Sequence, residues 1–348
     1  MAQTKRQGER TVFFETPPRV ISSASIVGDV EGKGPLAAAY DLILEDDTWG
    51  ESSWEKAECK MFVTAVKLAL SKLGWSTDSL QCLLGGDLLN QIVVASYAAR
   101  ELGIPFLGLY SACSTMAESL LIGSMLIDGC FVERAACAAS SHFSTAERQY
   151  RYPLEMGTTN PPTAQRTVTG VGAVILSNEQ AASGYGSEIF SKIHITCGTT
   201  GKVVDMGITD ASNMGAAMAP AACNTIKTHL ADTHRAADYY DAIVTGDLGR
   251  FGSEMLIELC LDEGIKISKN HIDCGNLVFG PNQDVDCGGS GCGCSAVVLS
   301  SHLLRLLEKE TWSKALFMAT GALMSPQASL QGETIPGIAH AVVLERDN

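Results

Sequence analysis

Hydrophobic residues follow two patterns along the chain. Short apolar runs bounded by small or polar residues predict strands, and longer segments with apolar residues three or four positions apart predict helices. Strands are predicted over 20–27, 80–84, 135–140, 171–176, 193–197 and 242–245, and helices over 55–73, 90–102, 116–127, 217–230 and 253–262. The polar stretch 147–167 is predicted to be a loop. Strands alternating with helices indicate α/β layers with largely parallel sheets covered on both faces.

The second half of the chain repeats the plan of the first. Gly86-Asp87-Leu88 precedes a helical segment that ends at Gly103, and Gly246-Asp247-Leu248 precedes one that ends at Gly264. The offsets between these pairs are 160 and 161 residues, and the apolar runs 173–176 and 341–344 are 168 residues apart. Such self-similarity predicts an internal duplication. We therefore divide the chain into an N-terminal arm (1–16), a first half (17–178) and a second half (179–348).

The stretch 107–115 carries the strongest chemical signal. It begins as an apolar strand, turns at small residues and places Cys113 at the start of the helix predicted over 116–127. A cysteine there meets the unpaired amides and the positive dipole end of the helix. That position lowers a thiol pKa and also suits a bound carboxylate. Cys113 is therefore predicted to be either a nucleophile or the floor of an anion pocket.

Composition and charge argue against several classes of function. The formal net charge of −14 argues against nucleic-acid binding, which needs a basic surface. The polar start of the chain lacks the apolar core of a signal peptide, and no apolar run approaches the ~18 residues of a membrane span. Twelve cysteines without an export signal predict free thiols in a reducing, intracellular compartment.

Four motifs resemble the thiolase superfamily of thiolases and ketoacyl synthases. They are Tyr110-Ser111-Ala112-Cys113-Ser114-Thr115, the strand 170–176, the helix start 214–220 and the glycine-rich run 288–294. The resemblance implies duplicated αβα halves that form a five-layered αβαβα architecture. The segments 84–91, 139–143, 149–153 and 278–281 are more closely similar to the stage V sporulation protein AD family of spore-forming bacteria.

The chain departs from the enzymes of that superfamily in its second half. Where a ketoacyl synthase of the chalcone or initiating type carries a histidine, this chain has Thr245-Gly246-Asp247-Leu248-Gly249. Where a thiolase has Gly-His-Pro, it has Gly280-Pro281-Asn282. Proton transfer by a positioned base typically contributes ~10²–10⁴-fold to such chemistry. The resemblance therefore implies a thiolase fold converted from catalysis to binding.

The sporulation family implies a specific ligand and setting. Its members are dimeric, non-enzymatic binders of dipicolinic acid, a flat pyridine with two carboxylates, which they help to load into the developing spore. For this chain we expect a homodimer that binds dipicolinic acid or its calcium complex. We expect no cofactor beyond calcium carried with the ligand. We also expect peripheral association with channel proteins of the inner spore membrane. The alternative is an acyl-CoA or acyl-carrier condensing or acyl-transfer enzyme that uses Cys113 and His142.

A dipicolinate site needs amide, hydroxyl or cationic donors and an apolar slot. The candidate ligand-binding residues are Asp87, Cys113, Ser141, His142, Arg166, Thr169 and Phe279. Five of them have a structural alternative: a tight-turn residue for Cys113, a helix N-cap for Asp87, a backbone-bonded histidine for His142, a surface loop for Arg166 and core packing for Phe279.

Two further groups are given structural roles. Asp247, the counterpart of Asp87 in the repeat, is expected to be only a helix cap. Four cysteines of the second half do not have the spacing of a zinc or iron–sulfur site, so no metal site is predicted: Cys274, Cys287, Cys292 and Cys294.

Overall fold

A computed structural model describes residues 4–150, 161–178 and 192–347. Its strands are β1 (Arg6–Gln7), β2 (Thr11–Phe13), β3 (Arg19–Val27), β4 (Leu42–Ile43), β5 (Cys82–Gly86), β6 (Phe106–Gly108), β7 (Arg134–Ser141), β8 (Arg166–Thr167), β9 (Gly170–Ser177), β10 (Ile193–Thr199), β11 (Ala242–Thr245), β12 (His271–Asp273), β13 (Gly289–Ser290), β14 (Lys314–Ala322) and β15 (Gly337–Arg346). Its helices are α1 (Trp54–Ser71), α2 (Val93–Leu102), α3 (Thr115–Asp128), α4 (Phe143–Tyr150), α5 (Met214–Thr233), α6 (Gly249–Asp262), α7 (Gly275–Val278), α8 (Cys292–Val298), α9 (Leu304–Glu308) and α10 (Pro326–Leu330). A π-helical stretch, Leu299–Leu303, joins α8 to α9.

The strand topology confirms the predicted duplication. The first half arranges its strands in the order β3-β9-β7-β5-β6, and the second half uses the order β10-β15-β14-β11-β12. The corresponding pairs have the same sense: β3–β9, β9–β7, β10–β15 and β15–β14 are antiparallel, and β7–β5, β5–β6, β14–β11 and β11–β12 are parallel. The halves meet where β3 pairs with β10.

Five layers follow from the packing of helices on this double sheet. Helix α3 contacts strands of both halves, and α8 packs against β7 and β9, so these two helices form the middle layer. Helices α1 and α2 cover the outer face of the first half, and α5 and α6 cover that of the second. Three hydrophobic clusters fill the spaces between the layers: one, with Met116, surrounds the middle layer, and two others, with Phe62 and Met218, lie under the outer helices of the first and second half. This is the αβαβα architecture that the resemblance implied.

The predicted loose arm forms a hairpin instead. Strands β1 and β2 pair with each other, and β2 also pairs with β10. The carboxylate of Asp232, near the end of α5, accepts hydrogen bonds from the backbone N–H groups of Glu9, Arg10 and Thr11 at 2.8–3.0 Å. The arm prediction was wrong because these tethers come from a residue more than 200 positions away. The predicted junction between the halves adjoins 179–191, which lies outside the described residues.

Two further expectations were wrong. The strand that closes each half, β9 or β15, runs antiparallel to both of its neighbours, so the sheets are not largely parallel. An apolar run does not encode strand direction when helices cover both faces. The predicted loop 147–167 contains the end of α4 and all of β8, and its residues 151–160 lie outside the described part of the chain. Within the described ranges, each helix is too short or too polar to cross a bilayer.

Candidate functional site

A pocket of about 350 Å³ opens above Cys113, between elements of the two halves. Its walls are mainly apolar, and its polar groups are neutral hydroxyls, one amide and the thiol. The lining residues are Leu88, Asn90, Tyr110, Ala112, Cys113, Ala146, Tyr150, Thr167, Met214, Ser290, Ala322, Leu323, Met324, Ser325 and Ala328. Among these described lining residues, none carries an ionisable acid or basic side chain other than the thiol and the phenols. The pocket therefore suits a small molecule that combines apolar surface with a few hydrogen-bonding groups.

The turn that presents Cys113 is held rigidly from both halves. After β6, Ala112 adopts a left-handed conformation with φ of 47°, and a single 3-10 turn, Ala112–Ser114, leads into α3. The hydroxyl of Ser114 donates to the carbonyl oxygen of Ser111 at 2.7 Å. From the second half, Gly321 of β14 packs so closely that a Cβ there would lie 2.7 Å from the same oxygen. Cys113 is consequently only 5% exposed, at the pocket floor.

The electrostatic surroundings of Cys113 oppose thiolate formation. Burial raises the pKa of the thiol well above its usual value, and the nearby Asp247 carboxylate raises it further through its charge and a hydrogen bond. The backbone N–H of Gly291 offsets only part of this effect. Burial and a facing carboxylate therefore outweigh the helix end, which by itself lowers the pKa of a thiol.

Asp247 is the site residue that sequence reasoning missed. It is fully buried and accepts hydrogen bonds from the backbone N–H of Gly291 at 3.0 Å and the hydroxyl of Thr320 at 2.8 Å. The hydroxyl of Ser290 lies at 3.4 Å from the same carboxylate. Burial raises the pKa of Asp247 to about 6. The expectation that Asp247 caps the helix that follows it was wrong. Its partners come from β13, β14 and the start of α8.

Asp87 has the capping geometry instead. One of its carboxylate oxygens accepts from the backbone N–H of Leu89 at 2.8 Å, and the other accepts from that of Ala95 at 2.8 Å. The side chain is fully buried at the start of α2 and is not among the residues that line the pocket. A ligand role for Asp87 stays a prediction, and the structure shows both oxygens already in use.

His142 and Ser141 are tied to the backbone. The Nε2 atom of His142 lies 2.6 Å from the carbonyl oxygen of Asp47, and Nδ1 accepts from the backbone N–H of Ser144 at 3.2 Å. Burial lowers the pKa of His142, so the ring is neutral at physiological pH. The Ser141 hydroxyl donates to the carbonyl oxygen of Val168 at 2.6 Å. Both residues lie behind the pocket rather than on its wall.

The remaining three predicted residues are not among those that line the pocket. The guanidinium of Arg166 stacks 3.9 Å from the ring centre of Phe143, and the Thr169 hydroxyl accepts from the backbone N–H of Phe143 at 3.0 Å. Phe279 belongs to the central hydrophobic cluster. The lining instead includes Thr167, next to Arg166 on β8. Of the seven predicted ligand residues, the structure places Cys113 on the pocket surface, and a ligand role for the other six stays a prediction.

Known proteins resemble this chain in sequence over almost its whole length. A family model for stage V sporulation protein AD matches residues 8–345. Stage V sporulation protein AD of Bacillus subtilis (strain 168) is 46% identical over 342 residues, which cover 98% of each chain. This chain belongs to the stage V sporulation protein AD family.

Solved structures share the fold of this sporulation protein family at low sequence identity. Human mitochondrial 3-ketoacyl-CoA thiolase, in complex with CoA, has a TM-score of 0.60 and 15% identity over 97% of this chain and 98% of its own. The 3-oxoacyl-[acyl-carrier-protein] synthase III of Aquifex aeolicus VF5 has a TM-score of 0.56 and 13% identity over 94% and 99%. These similarities confirm the predicted thiolase-like fold.

A row of polar side chains at the pocket mouth of this member of the sporulation family was also not identified from the sequence. The Tyr110 hydroxyl lies 3.2 Å from Asn90 Oδ1 and 3.2 Å from the Tyr150 hydroxyl, which in turn donates to the carbonyl oxygen of Leu88. These residues come from three separate segments that all carry the family resemblance, but none of the three was singled out as a site residue. Together they form a row of neutral donors and acceptors on one wall.

Two cysteines of the glycine-rich run 288–294 form hydrogen bonds to the backbone. The Cys292 thiol donates to the carbonyl oxygen of Ala112 at 3.0 Å, and the Cys294 thiol donates to that of Gly246 at 3.5 Å. Across the described ranges, no group of three or more cysteine, histidine, aspartate or glutamate side chains has a geometry that could hold a metal ion.

Proposed function

We propose that this sporulation-family chain binds dipicolinic acid, or its calcium complex, in the Cys113 pocket without converting it chemically. In this function it serves the uptake of the ligand into the developing spore. The observation that carries the proposal is a pocket in which the Cys113 thiol is buried against the Asp247 carboxylate, with no histidine among the described lining residues.

The pocket has the size and chemistry for such a ligand. Its volume of about 350 Å³ is at the lower end of the ~300–1,000 Å³ of small-molecule sites. Apolar side chains such as Leu88 and Met214 can cover the faces of a pyridine ring. The amide and hydroxyls of Asn90, Tyr110 and Tyr150 can meet carboxylate oxygens at its edge. A calcium complex of dipicolinate has no net charge, which matches the neutral lining.

The same site disfavours acyl transfer through Cys113. An acylated cysteine forms from the thiolate, and both burial and Asp247 oppose that form. His142, the base of the enzyme alternative, has both ring nitrogens engaged with backbone groups. A binding function is therefore compatible with a protonated Cys113 thiol, whereas the enzyme function requires its thiolate.

The proposal includes a homodimer formed along the edge of the first-half sheet. Strand β6 ends the hydrogen-bonded strand order, and Leu107 on it is 45% exposed. The strand leads directly into the Cys113 turn, so a dimer contact there would stabilise the pocket mouth. Leu107→Lys is expected to shift the chain to monomer in sedimentation velocity. A dimer that persists in this variant would exclude the β6 edge as the contact.

The proposal also includes peripheral association with channel proteins of the inner spore membrane, which the family resemblance implies. Co-purification from a membrane fraction of sporulating cells, with and without high salt, tests this part. Recovery only in the soluble fraction under every condition would contradict it.

Calorimetric titration of the full chain with dipicolinate, with and without calcium, tests the binding function. Wild type is expected to bind saturably. Ala328→Phe, which fills the pocket from α10, should weaken binding by at least ~10-fold through steric exclusion. Ala231→Phe, a matched change at an exposed position of α5, should leave binding unchanged. Cys113→Ala should weaken binding without abolishing it, since the thiol supplies part of the floor.

Each outcome of this titration is informative. The absence of saturable binding to wild type would contradict the proposed function. Equal binding by wild type and Ala328→Phe would retain the ligand and exclude the pocket.

A further inference from the structure

A second cysteine site lies on the outer face of the second half, away from the Cys113 pocket. Helices α5 and α6 pack against each other there, and Gly215 and Gly252 allow their backbones to touch. A Cβ placed on Gly252 would lie 2.8 Å from the Cα of Gly215. Eight residues further along each helix, which is about 12 Å of rise, are Cys223 and Cys260. The equal spacing means that the helices run side by side and bring the two thiols into register.

The two thiols belong to the same hydrophobic cluster, lie within hydrogen-bonding reach of each other and differ in burial. Cys260 is fully buried and its thiol donates a hydrogen bond to the sulfur of Cys223, which is 7% exposed. This hydrogen bond is the largest cause that lowers the pKa of Cys223, and the charge of Lys227, one turn further along α5, acts in the same direction, whereas burial and the charges of Glu263 and Asp262 act against it. Lys227 also forms an ion pair with Glu263 at 2.6 Å. A donor thiol and a cation beside a sulfur are the features of reactive cysteines.

We propose that Cys223 and Cys260 form a redox-reactive pair, in which Cys223 is the attacking sulfur and Cys260 the resolving one. The oxidant is a peroxide, which is small enough for a nearly buried thiol. The Cys223 thiolate attacks the O–O bond, so an S–O bond forms and hydroxide leaves and is protonated to water. The Cys260 sulfur then attacks the Cys223 sulfur, an S–S bond forms, and the S–O oxygen leaves as water with the Cys260 proton. The dithiol loses two electrons, and the peroxide is reduced to two waters.

Exposure alone predicts a different target. Cys130, just beyond α3, is an exposed free thiol, whereas both members of the pair are buried. If solvent access governs oxidation, Cys130 reacts first. If the hydrogen-bonded pair governs it, the disulfide between α5 and α6 forms first.

Peptide mapping separates these possibilities in the full chain. The reduced protein is exposed to hydrogen peroxide, remaining thiols are blocked with N-ethylmaleimide in denaturant, and the chain is cleaved with trypsin without reduction. Cleavage after lysine and arginine yields peptides 203–227 and 251–266, each with one cysteine. The expected product is these two peptides joined with the loss of two hydrogens.

Three variants complete the test. Cys223→Ala should abolish the cross-link. Cys260→Ala should leave oxidised but unlinked Cys223. Cys130→Ala, the matched control, should form the cross-link at the wild-type rate. Oxidation of Cys130 in wild type without the cross-link would overturn the proposal, and so would a cross-link that appears only after unfolding. The wild-type map decides the question even if one variant does not fold.

Discussion

Asp87 and Asp247 occupy the same place in the two halves but perform different tasks. Each follows a buried parallel strand in a Gly-Asp-Leu sequence, and each is completely buried. Asp87 uses both oxygens on backbone amides of its own half. Asp247 is instead bound by Gly291 and Thr320, and it faces Cys113 of the other half. A duplicated position therefore keeps its burial while its partners diverge.

Another carboxylate caps the second half in place of Asp247. Asp273, at the end of β12, accepts from the backbone N–H groups of Leu248 at 2.8 Å and Gly249 at 2.9 Å, at the start of α6. This transfer leaves Asp247 free to point across the interface between the halves. A cysteine of the first half on the pocket floor thus faces a buried carboxylate of the second half that lies beneath the pocket surface.

The largest expected difference between the two aspartates is in the loss of unfolding free energy when each is replaced by asparagine. Asp87→Asn is expected to cost ~1–3 kcal/mol, because an amide nitrogen replaces an acceptor of a buried backbone N–H. Asp247→Asn should cost less, since the hydroxyls of Thr320 and Ser290 can turn to accept. Urea unfolding of both variants measures the difference. Equal losses would show that Asp247 is as structural as Asp87.

The same two variants should differ in the opposite order in the reactivity of the Cys113 thiol, on which Asp247→Asn should have the larger effect. Removal of the charge in Asp247→Asn lowers the pKa of Cys113, and one pKa unit gives ~10-fold more thiolate. Alkylation of Cys113 by iodoacetamide at pH 8, followed by mass spectrometry, should accelerate in this variant and remain unchanged in Asp87→Asn. Identical alkylation rates in wild type and both variants would show that Asp247 does not contribute to the low reactivity of the Cys113 thiol.

The surroundings of Asp87 also predict a pH dependence of stability. Burial raises the pKa of Glu58 to about 8, and the charges of Asp87 and Glu55 add to this effect. A carboxyl group with a raised pKa in the folded state binds its proton more tightly there than in the unfolded chain. The stability it contributes is therefore present below the unfolded pKa of about 4.5 and is lost as pH rises toward 8.

The variant Glu58→Gln tests whether stability falls as pH rises, as predicted. The amide resembles the protonated acid and can keep contacts with the hydroxyls of Ser140 and Thr145. The variant should melt ~2–4 °C higher than wild type at pH 8.5 and nearly equally at pH 5. Thermal unfolding across this range measures the difference, and parallel curves at all pH values would contradict it.

The smallest expected effect concerns the pocket mouth. Tyr110→Phe should weaken dipicolinate binding by ~2–10-fold, the value of one neutral hydrogen bond. Tyr97→Phe is a close control, because Tyr97 is 53% exposed and Tyr110 is 52% exposed. Calorimetry on both variants should detect a change in the first only. A similar change in both would indicate a general surface effect.

Local pattern predicted the elements but not their long-range partners. The apolar run at 242–245 coincides with β11, and the helix expected over 116–127 is α3 with one more residue at each end. Such elements follow from hydrophobic periodicity within a few residues. The environment of Cys113 could not be predicted in this way, because Asp247, Gly291 and Thr320 are more than 130 positions away. The repeat did mark Asp247, but the same repeat made it look equivalent to Asp87.

The most direct test of the central claim is the intact mass of the full chain after incubation with acetyl-CoA at neutral pH. The account predicts an unchanged mass, because Asp247 and burial keep the Cys113 thiol protonated. A gain of one acetyl group that Cys113→Ala abolishes would contradict it, since the pocket would then be an acylation site.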